Sequence, residues 1–183
     1  MAAVGVSVGV EEKLVELCTA LPRDCVVVEI GSHEGYSAHV IATIILPKGG
    51  RLYCVDPYQG NQAQGQPDYV GARDTERMGR FVDGFHPDEK VILMLGHSVN
   101  VAPIIADNFV DLIFIDADHR YSFASQDIEL WWPKLKIGGI MCGDDYEGPE
   151  WDEEFIEQDY VGNQHHGACK AVTELFAENT SAS

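Results

Sequence analysis

With 183 residues, 45% of them hydrophobic, the chain is long enough to close one compact domain around a sizeable core, and no second domain is expected. A net charge of −18 and a pI near 4.5 exclude nucleic acid and anionic membrane surfaces as natural partners, because both would be repelled. Five cysteines, Cys18, Cys25, Cys54, Cys142 and Cys169, lack C-x-x-C spacing and read as reduced core thiols of a cytoplasmic protein rather than a disulfide scaffold.

Residues 1–10 are mildly apolar, without a basic leader or cleavage pattern, and are expected to be flexible. Residues 11–21 carry Leu14, Val15, Cys18 and Leu21 at helical spacing before Pro22 closes the segment. Residues 25–30 form a β-branched run, the pattern of a parallel strand covered on both faces, which ends in Glu29-Ile30 and opens into a loop punctuated by Gly31 and Gly35. From Ser37 the period changes: Ala38, Ile41, Ala42 and Ile45 share one helical face until Pro47. A strand, a glycine loop and a helix whose first N–H groups are free make a ligand platform, with Glu29 at the strand end to accept hydrogen bonds.

Residues 51–55 form a second strand ending at Asp56, placed like the acid that bonds ribose hydroxyls in nucleotide-binding α/β folds; a helix cap is the alternative. Residues 57–71 read as a loop at the mouth of the pocket, and residues 74–85 as a helix carrying Met78, Phe81, Val82 and Phe85. Residues 91–95 are a third strand before the Gly96-His97-Ser98 turn, residues 99–107 a short helix interrupted by Pro103, and residues 111–116 a fourth strand. The repeated alternation favours a Rossmann-like, doubly wound, mostly parallel sheet in an α/β domain spanning residues 1–183.

Asp116 and Asp118 leave their strand on one face, and Asp144 and Asp145 end the next strand, residues 140–143. Between them a helix carries Ala124, Ile128, Trp131 and Leu135, followed by a Gly138-Gly139 turn. Neighbouring strands about 4.8 Å apart would gather these carboxylates. Such a group repels itself unless a hard divalent cation such as Mg²⁺ joins it; helix capping is the other use of strand-end aspartates.

These stretches together, Glu29-Ile30-Gly31 through Gly35-Tyr36-Ser37, the strand ending at Asp56, Ile115-Asp116-Ala117-Asp118 and Gly139 to Tyr146, resemble the class I S-adenosylmethionine-dependent O-methyltransferases. Within that class they are similar to the metal-dependent small-molecule enzymes, of the catechol and caffeoyl-CoA type and of the macrocin and novobiocin sugar type. The resemblance implies that Glu29, Gly31, Ser32, His33, Gly35, Ser37, Asp56, Ser98 and Asp116 form the cofactor site. It also implies a metal held by Asp116, Asp144 and Asp145, and Asp118 as general base. Asp145 stands where the catechol type has Asn, which leans the chain towards the sugar enzymes.

The family ordinarily finishes with an antiparallel strand pair after a helix like residues 168–178, and the chain is expected to lack that pair. The strand at 140–143 would then show an unpaired edge, so either a homo-oligomer or coverage by residues 147–166 is expected. That acid-rich segment, with Trp151, Phe155 and the His165-His166 pair, reads as a lid or as a solvated loop. His119 is a candidate for proton transfer or metal binding, or for a supporting role behind the site, and His33 carries the same ambiguity. The expected activity is methyl transfer from S-adenosylmethionine to a hydroxyl of a sugar or catechol-like acceptor, assisted by a divalent cation. A cofactor-binding relative without transfer activity and a metal-dependent hydroxylase-like member of the superfamily remain the alternatives.

Overall fold

The computed structural model describes residues 2–5, 10–59, 75–86 and 90–180. Strands β1 (Ala2–Gly5), β2 (Val26–Ile30), β3 (Arg51–Asp56), β4 (Val91–Leu95), β5 (Val110–Ile115) and β6 (Leu135–Gly143) form one sheet in the order β1-β6-β5-β2-β3-β4. Every pairing in it is parallel. Helices α1 (Val10–Ala20), α2 (Tyr36–Ile45), α3 (Thr75–Gly84), α4 (Ser98–Val101), α5 (Tyr121–Trp131) and α6 (His166–Thr180) supply the crossovers and outer layers. Most of the loop expected over residues 57–71 lies outside the described residues, as does residue 74 of the next helix.

Strand periodicity sorts the apolar side chains into two cores. Val27, Leu52, Leu112 and Phe114 pack with Leu14, Ile41, Ile45 and Phe81 on the face covered by α1, α2 and α3. Val26, Val28, Ile30 and Ile113 pack with Val101, Ile128, Trp131 and Ala171 on the face covered by α4, α5 and α6. A parallel sheet buried on both faces needs near-continuous apolar strands, and β2 is buried at all five positions, Glu29 included. The chain leaves β2 towards β3 on one side and returns from β4 to β5 on the other. The switch point of the sheet therefore falls between the carboxyl ends of β2 and β5, where such folds bind ligands.

Three expectations are corrected. Residues Ala2–Gly5, expected to be flexible, are a strand paired from Ala2 with Ile140 to Gly5 with Gly143. The edge of β6 is thus covered by the N-terminal segment, and neither a second copy nor residues 147–166 is needed for that pairing. Leu135 does not extend the helix: Pro133 ends it in a 3₁₀ turn over Trp132–Lys134, and Leu135 opens β6 opposite Val110. Gly138-Gly139 is consequently an irregularity inside β6, where Gly138 has φ 85°, rather than a turn before it. Among the described residues no helix is long and apolar enough to cross a membrane.

Candidate active site

A cleft of about 330 Å³ opens at the switch point. Its walls include Gly31, His33, Asp56, Ser98, Asp116 and Asp118. The turn after β2 is built for close approach. Gly31 has φ 89°, its N–H donates to Val55 O at 2.9 Å, and a Cβ there would overlap the Asp116 carbonyl oxygen. Only glycine fits that conformation and that contact. His33 also has positive φ, 46°, an unusual state for a residue with a side chain. Its N–H donates to Asp56 Oδ2 at 2.9 Å, while the Tyr58 N–H donates to Asp56 Oδ1 at 2.6 Å and the Tyr58 hydroxyl donates to His33 O at 2.7 Å. Asp56 is thereby fixed at the cleft wall, with lone pairs remaining for hydroxyls of a ligand.

Of the sequence-predicted cofactor residues, Gly31, His33, Asp56, Ser98 and Asp116 line the cleft. Ser32, Gly35 and Ser37 lie behind it in the turn and first helical residues, and Glu29 is 0% exposed. Ser37 Oγ donates to Glu29 Oε1 at 2.5 Å, whereas Glu29 Oε2 is sealed from solvent without a hydrogen-bond partner. Burial raises the Glu29 carboxyl to about 7, against the pull of the Ser37 hydroxyl. Glu29 thus braces the turn from beneath rather than facing the cleft directly. At the opposite wall Ser98 Oγ donates to Asp127, a carboxylate that burial lifts to about 6. Asp127 escaped notice because a lone acid at helical spacing in α5 reads as a solvent-facing residue.

The fit to a nucleoside cofactor rests on this chemistry: a backbone cradle that a single Cβ would fill, an orphaned buried carboxylate oxygen beneath it, and acids on the walls. S-adenosylmethionine carries a sulfonium and an ammonium group, and the cleft lining sets four aspartates, Asp56, Asp116, Asp118 and Asp127, against two arginines, Arg77 and Arg120, a balance whose sign suits a cation.

Beyond Asp116 the cleft adjoins a smaller pocket of about 50 Å³, with Asp118, His119, Asp144 and Tyr146 in its lining. The structure brings Asp116, Asp144 and Asp145 together, one carboxylate oxygen of each lying within 4.8 Å of the others. Strand register does this: Ile115 pairs with Gly143, so the residues that follow each emerge side by side. Burial, reinforced by the charges of Asp145 and Asp116, raises Asp144 to about 6. Asp145 sits at φ 61°, with its N–H donating to Asp144 Oδ1 at 2.8 Å. A left-handed aspartate is tolerated because its short polar side chain bonds locally, and such backbone states collect at functional sites.

Asp118, the candidate base, lies on the wall shared by both pockets. Both its oxygens are engaged by Arg120: Nε donates to Oδ1 at 2.9 Å and Nη2 to Oδ2 at 2.5 Å, while the guanidinium stacks 4.3 Å from the Phe123 ring centre. His119 is the hub of the small pocket, 2.8 Å from Asp145 Oδ2 through Nε2 and 3.0 Å from Asp159 Oδ1 through Nδ1. Burial opposes its charge, but Asp116 and Asp145 outweigh it and raise the imidazole to about 11. The same contact holds Asp145 below the usual carboxylate range, although burial acts to raise it. Arg120, Asp159, Glu147 and His165 complete the arrangement, and of these only the His165-His166 pair stood out in the sequence. Nothing in the local pattern of residues 147–165 says which acid turns inward.

The chain matches the model of a family described as "Methyltransferase domain" over residues 28–146. Solved structures share the fold. A protein from Corynebacterium glutamicum aligns with TM-score 0.57 at 15% identity, over 91% of this chain and 70% of its own. Cofactor-bound Rv0187 from MTB aligns with TM-score 0.52 at 24% identity, over 77% of this chain and 57% of its own. Among curated proteins, uncharacterized protein R132 of Acanthamoeba polyphaga mimivirus is 33% identical over 49 residues. That match covers 27% of this chain, and the chain spans only 22% of that relative. The matched span holds the glycine turn, Asp56, Asp116, Asp144 and Asp145, and the chain belongs to the methyltransferase domain family, with the Rossmann-like fold of the class I S-adenosylmethionine-dependent methyltransferases.

Proposed function

We propose that the protein transfers the methyl group of S-adenosylmethionine to a hydroxyl of a small molecule, with a divalent cation assisting. One observation carries the reading: the cleft that fits the cofactor opens against the Asp116, Asp144 and Asp145 cluster, and Asp116 belongs to both. When bound, S-adenosylmethionine supplies an electrophilic methyl on a positively charged sulfur. A divalent ion supplies acidification of a coordinated hydroxyl.

The chain's own residues do the rest. Gly31, Asp56 and Ser98, which line the cleft, would bind and orient the nucleoside portion, and Asp116 would offer a carboxylate to its cationic end. Asp116, Asp144 and Asp145 would hold the ion through oxygens, a donor set suited to Mg²⁺. Asp118, on the wall between the two pockets, accepts the proton of the acceptor hydroxyl, and Arg120 fixes the direction of its carboxylate. The net charge of −18 disfavours a nucleic-acid acceptor, so a sugar or catechol-like molecule is the substrate class of choice. The Arg120 pair also supports a second reading, cofactor binding without transfer, because it occupies both Asp118 oxygens.

Methyl transfer to a panel of sugars and catechols, with and without EDTA, separates these readings. Transfer that falls on chelation and returns with Mg²⁺ is the expected outcome; full activity in EDTA ends the metal assignment. Cofactor binding with no transfer to any acceptor favours the second reading.

A further inference from the structure

Beside the small pocket, which His119 lines, lies a second set of ligating atoms, distinct in chemistry from the all-oxygen cluster. One ring nitrogen each of His119 and His165 and a carboxylate oxygen of Asp145 lie within 4.8 Å of one another, with His119 Nε2 at 2.8 Å from Asp145 Oδ2 and His165 Nδ1 at 3.3 Å from Asp145 Oδ1. They come from three separate places: the turn after β5, the end of β6, and the strap of residues 147–165 that runs from β6 to α6. The two imidazole rings are tilted at 57° to each other with centres 4.6 Å apart, and the Tyr160 ring centre lies 4.7 Å from that of His165.

One hydrogen bond orients His119 as a ligand. His119 Nδ1 meets Asp159 Oδ1 at 3.0 Å, the carboxylate–histidine contact that directs the other ring nitrogen towards a metal. That nitrogen, Nε2, is sealed from solvent and lies 2.8 Å from Asp145 Oδ2 and 3.8 Å from Asp116 Oδ1, so a bound ion would replace the proton it holds between these carboxylates. His165 Nδ1 lies 3.3 Å from Asp145 Oδ1 and 2.7 Å from Glu147 Oε1, so an ion bound at this nitrogen would replace the proton it shares with Glu147. Two imidazoles and a carboxylate make a borderline donor set, which suits Zn²⁺, Co²⁺, Mn²⁺ or Fe²⁺ better than Mg²⁺.

The strap is built to hold this arrangement. The Tyr121 N–H donates to Ile156 O at 2.8 Å, Glu157 accepts from the Ser122 N–H and hydroxyl at 3.1 and 2.7 Å, and a Cβ at Gly167 would meet the backbone of His119, Tyr121 and Ile156. Three chain segments that touch through backbone cannot drift far apart.

We propose that His119, His165 and Asp145 form a binding site for a borderline divalent transition-metal ion, with Asp159 orienting His119 from behind. Such an ion pins the strap to the turn after β5 through His165 and His119. It shares Asp145 with the carboxylate cluster of the proposed function, but its existence depends neither on methyl transfer nor on S-adenosylmethionine.

The test is Co²⁺ titration of the full chain, followed by visible absorption, which reports imidazole ligation without reference to activity. One equivalent of Co²⁺ should produce a saturable visible band that excess Mg²⁺ does not displace. His165→Ala should weaken Co²⁺ binding at least tenfold, and Asp144→Asn should leave it within about twofold. Circular dichroism checks that each variant is folded. A second reading on the unaltered protein removes dependence on any variant: Zn²⁺ should move the imidazole ¹⁵N resonances of His119 Nε2 and His165 Nδ1, and Mg²⁺ should not. A band that survives His165→Ala and is lost in Asp144→Asn, or ring nitrogens indifferent to Zn²⁺, overturns the proposal. Loss of methyl transfer with the Co²⁺ band intact would instead count against the proposed function alone.

Discussion

Asp56 and His119 sit on opposite sides of the switch point and are held in opposite ways. Asp56 is fastened by backbone N–H groups of His33 and Tyr58, residues of its own loop and of the adjacent turn. His119 is fastened by the side chains of Asp145 and Asp159, the latter forty residues away in sequence. Backbone contacts at strand ends follow from the parallel sheet itself, so once β2 and β3 pair, the cofactor side is almost determined. The imidazole side depends on which way side chains turn in a strap with little regular structure. The first arrangement is rigid and general, the second adaptable and specific to this chain.

The sharpest way to break this comparison is to add one carbon to the rigid side. Gly31→Ala places a Cβ onto the Asp116 carbonyl in a left-handed backbone, and should cost more than about 4 kcal/mol, read as loss of the cooperative melting transition. Gly148→Ala, in the strap, meets nothing within 4 Å and should cost only about 1–2 kcal/mol for its positive φ. Equal losses would contradict the contrast.

A second effect separates the two sides by pH. Glu29 is raised by burial from 4.5 to about 7, so the folded state keeps its proton after the unfolded chain has released it. Stability is therefore greater below pH 4.5 and falls as the pH rises from there to about 7, by an amount on the order of 3 kcal/mol. Denaturant titrations should show this slope, and Glu29→Gln should flatten it. A wild-type slope identical to that of the variant would show that Glu29 is not held in this way.

Ligand binding provides the next contrast. Asp56→Ala should weaken S-adenosylmethionine by about 1–3 kcal/mol, the loss of hydrogen bonds to a charged acceptor, whereas Asp145→Ala should leave cofactor affinity unchanged. Calorimetry that finds both variants equally impaired would merge the two sides into one site. The smallest effect is Ser37→Ala, which removes the hydroxyl bonded to Glu29 and should cost about 1–2 kcal/mol in stability, measured by thermal melting.

The sequence disclosed most of the cofactor side because its signals are local. Apolar runs ending in Glu29-Ile30, Asp56 and Asp116, each followed by a turn and a helical period, imply a parallel sheet and aligned carboxyl ends. Asp144 and Asp145 were legible for the same reason. Glu29 was placed at the cleft wall because alternation along a strand does not distinguish a buried position beneath a loop from one beside a ligand. The pairing of β1 with β6 escaped notice because four small residues, Ala2 to Gly5, carry too little apolar pattern to read as a strand. Asp159 and Glu147 were hidden among many acids, since only packing of the strap selects which of them turn inward.

The central claim is that the cleft at the switch point is a cofactor site, and isothermal titration with S-adenosylmethionine tests it most directly. The account predicts saturable binding at one molecule per chain, weakened in Asp56→Ala and retained in His165→Ala. No saturable binding to the unaltered protein, or binding indifferent to Asp56→Ala and lost in His165→Ala, would contradict it.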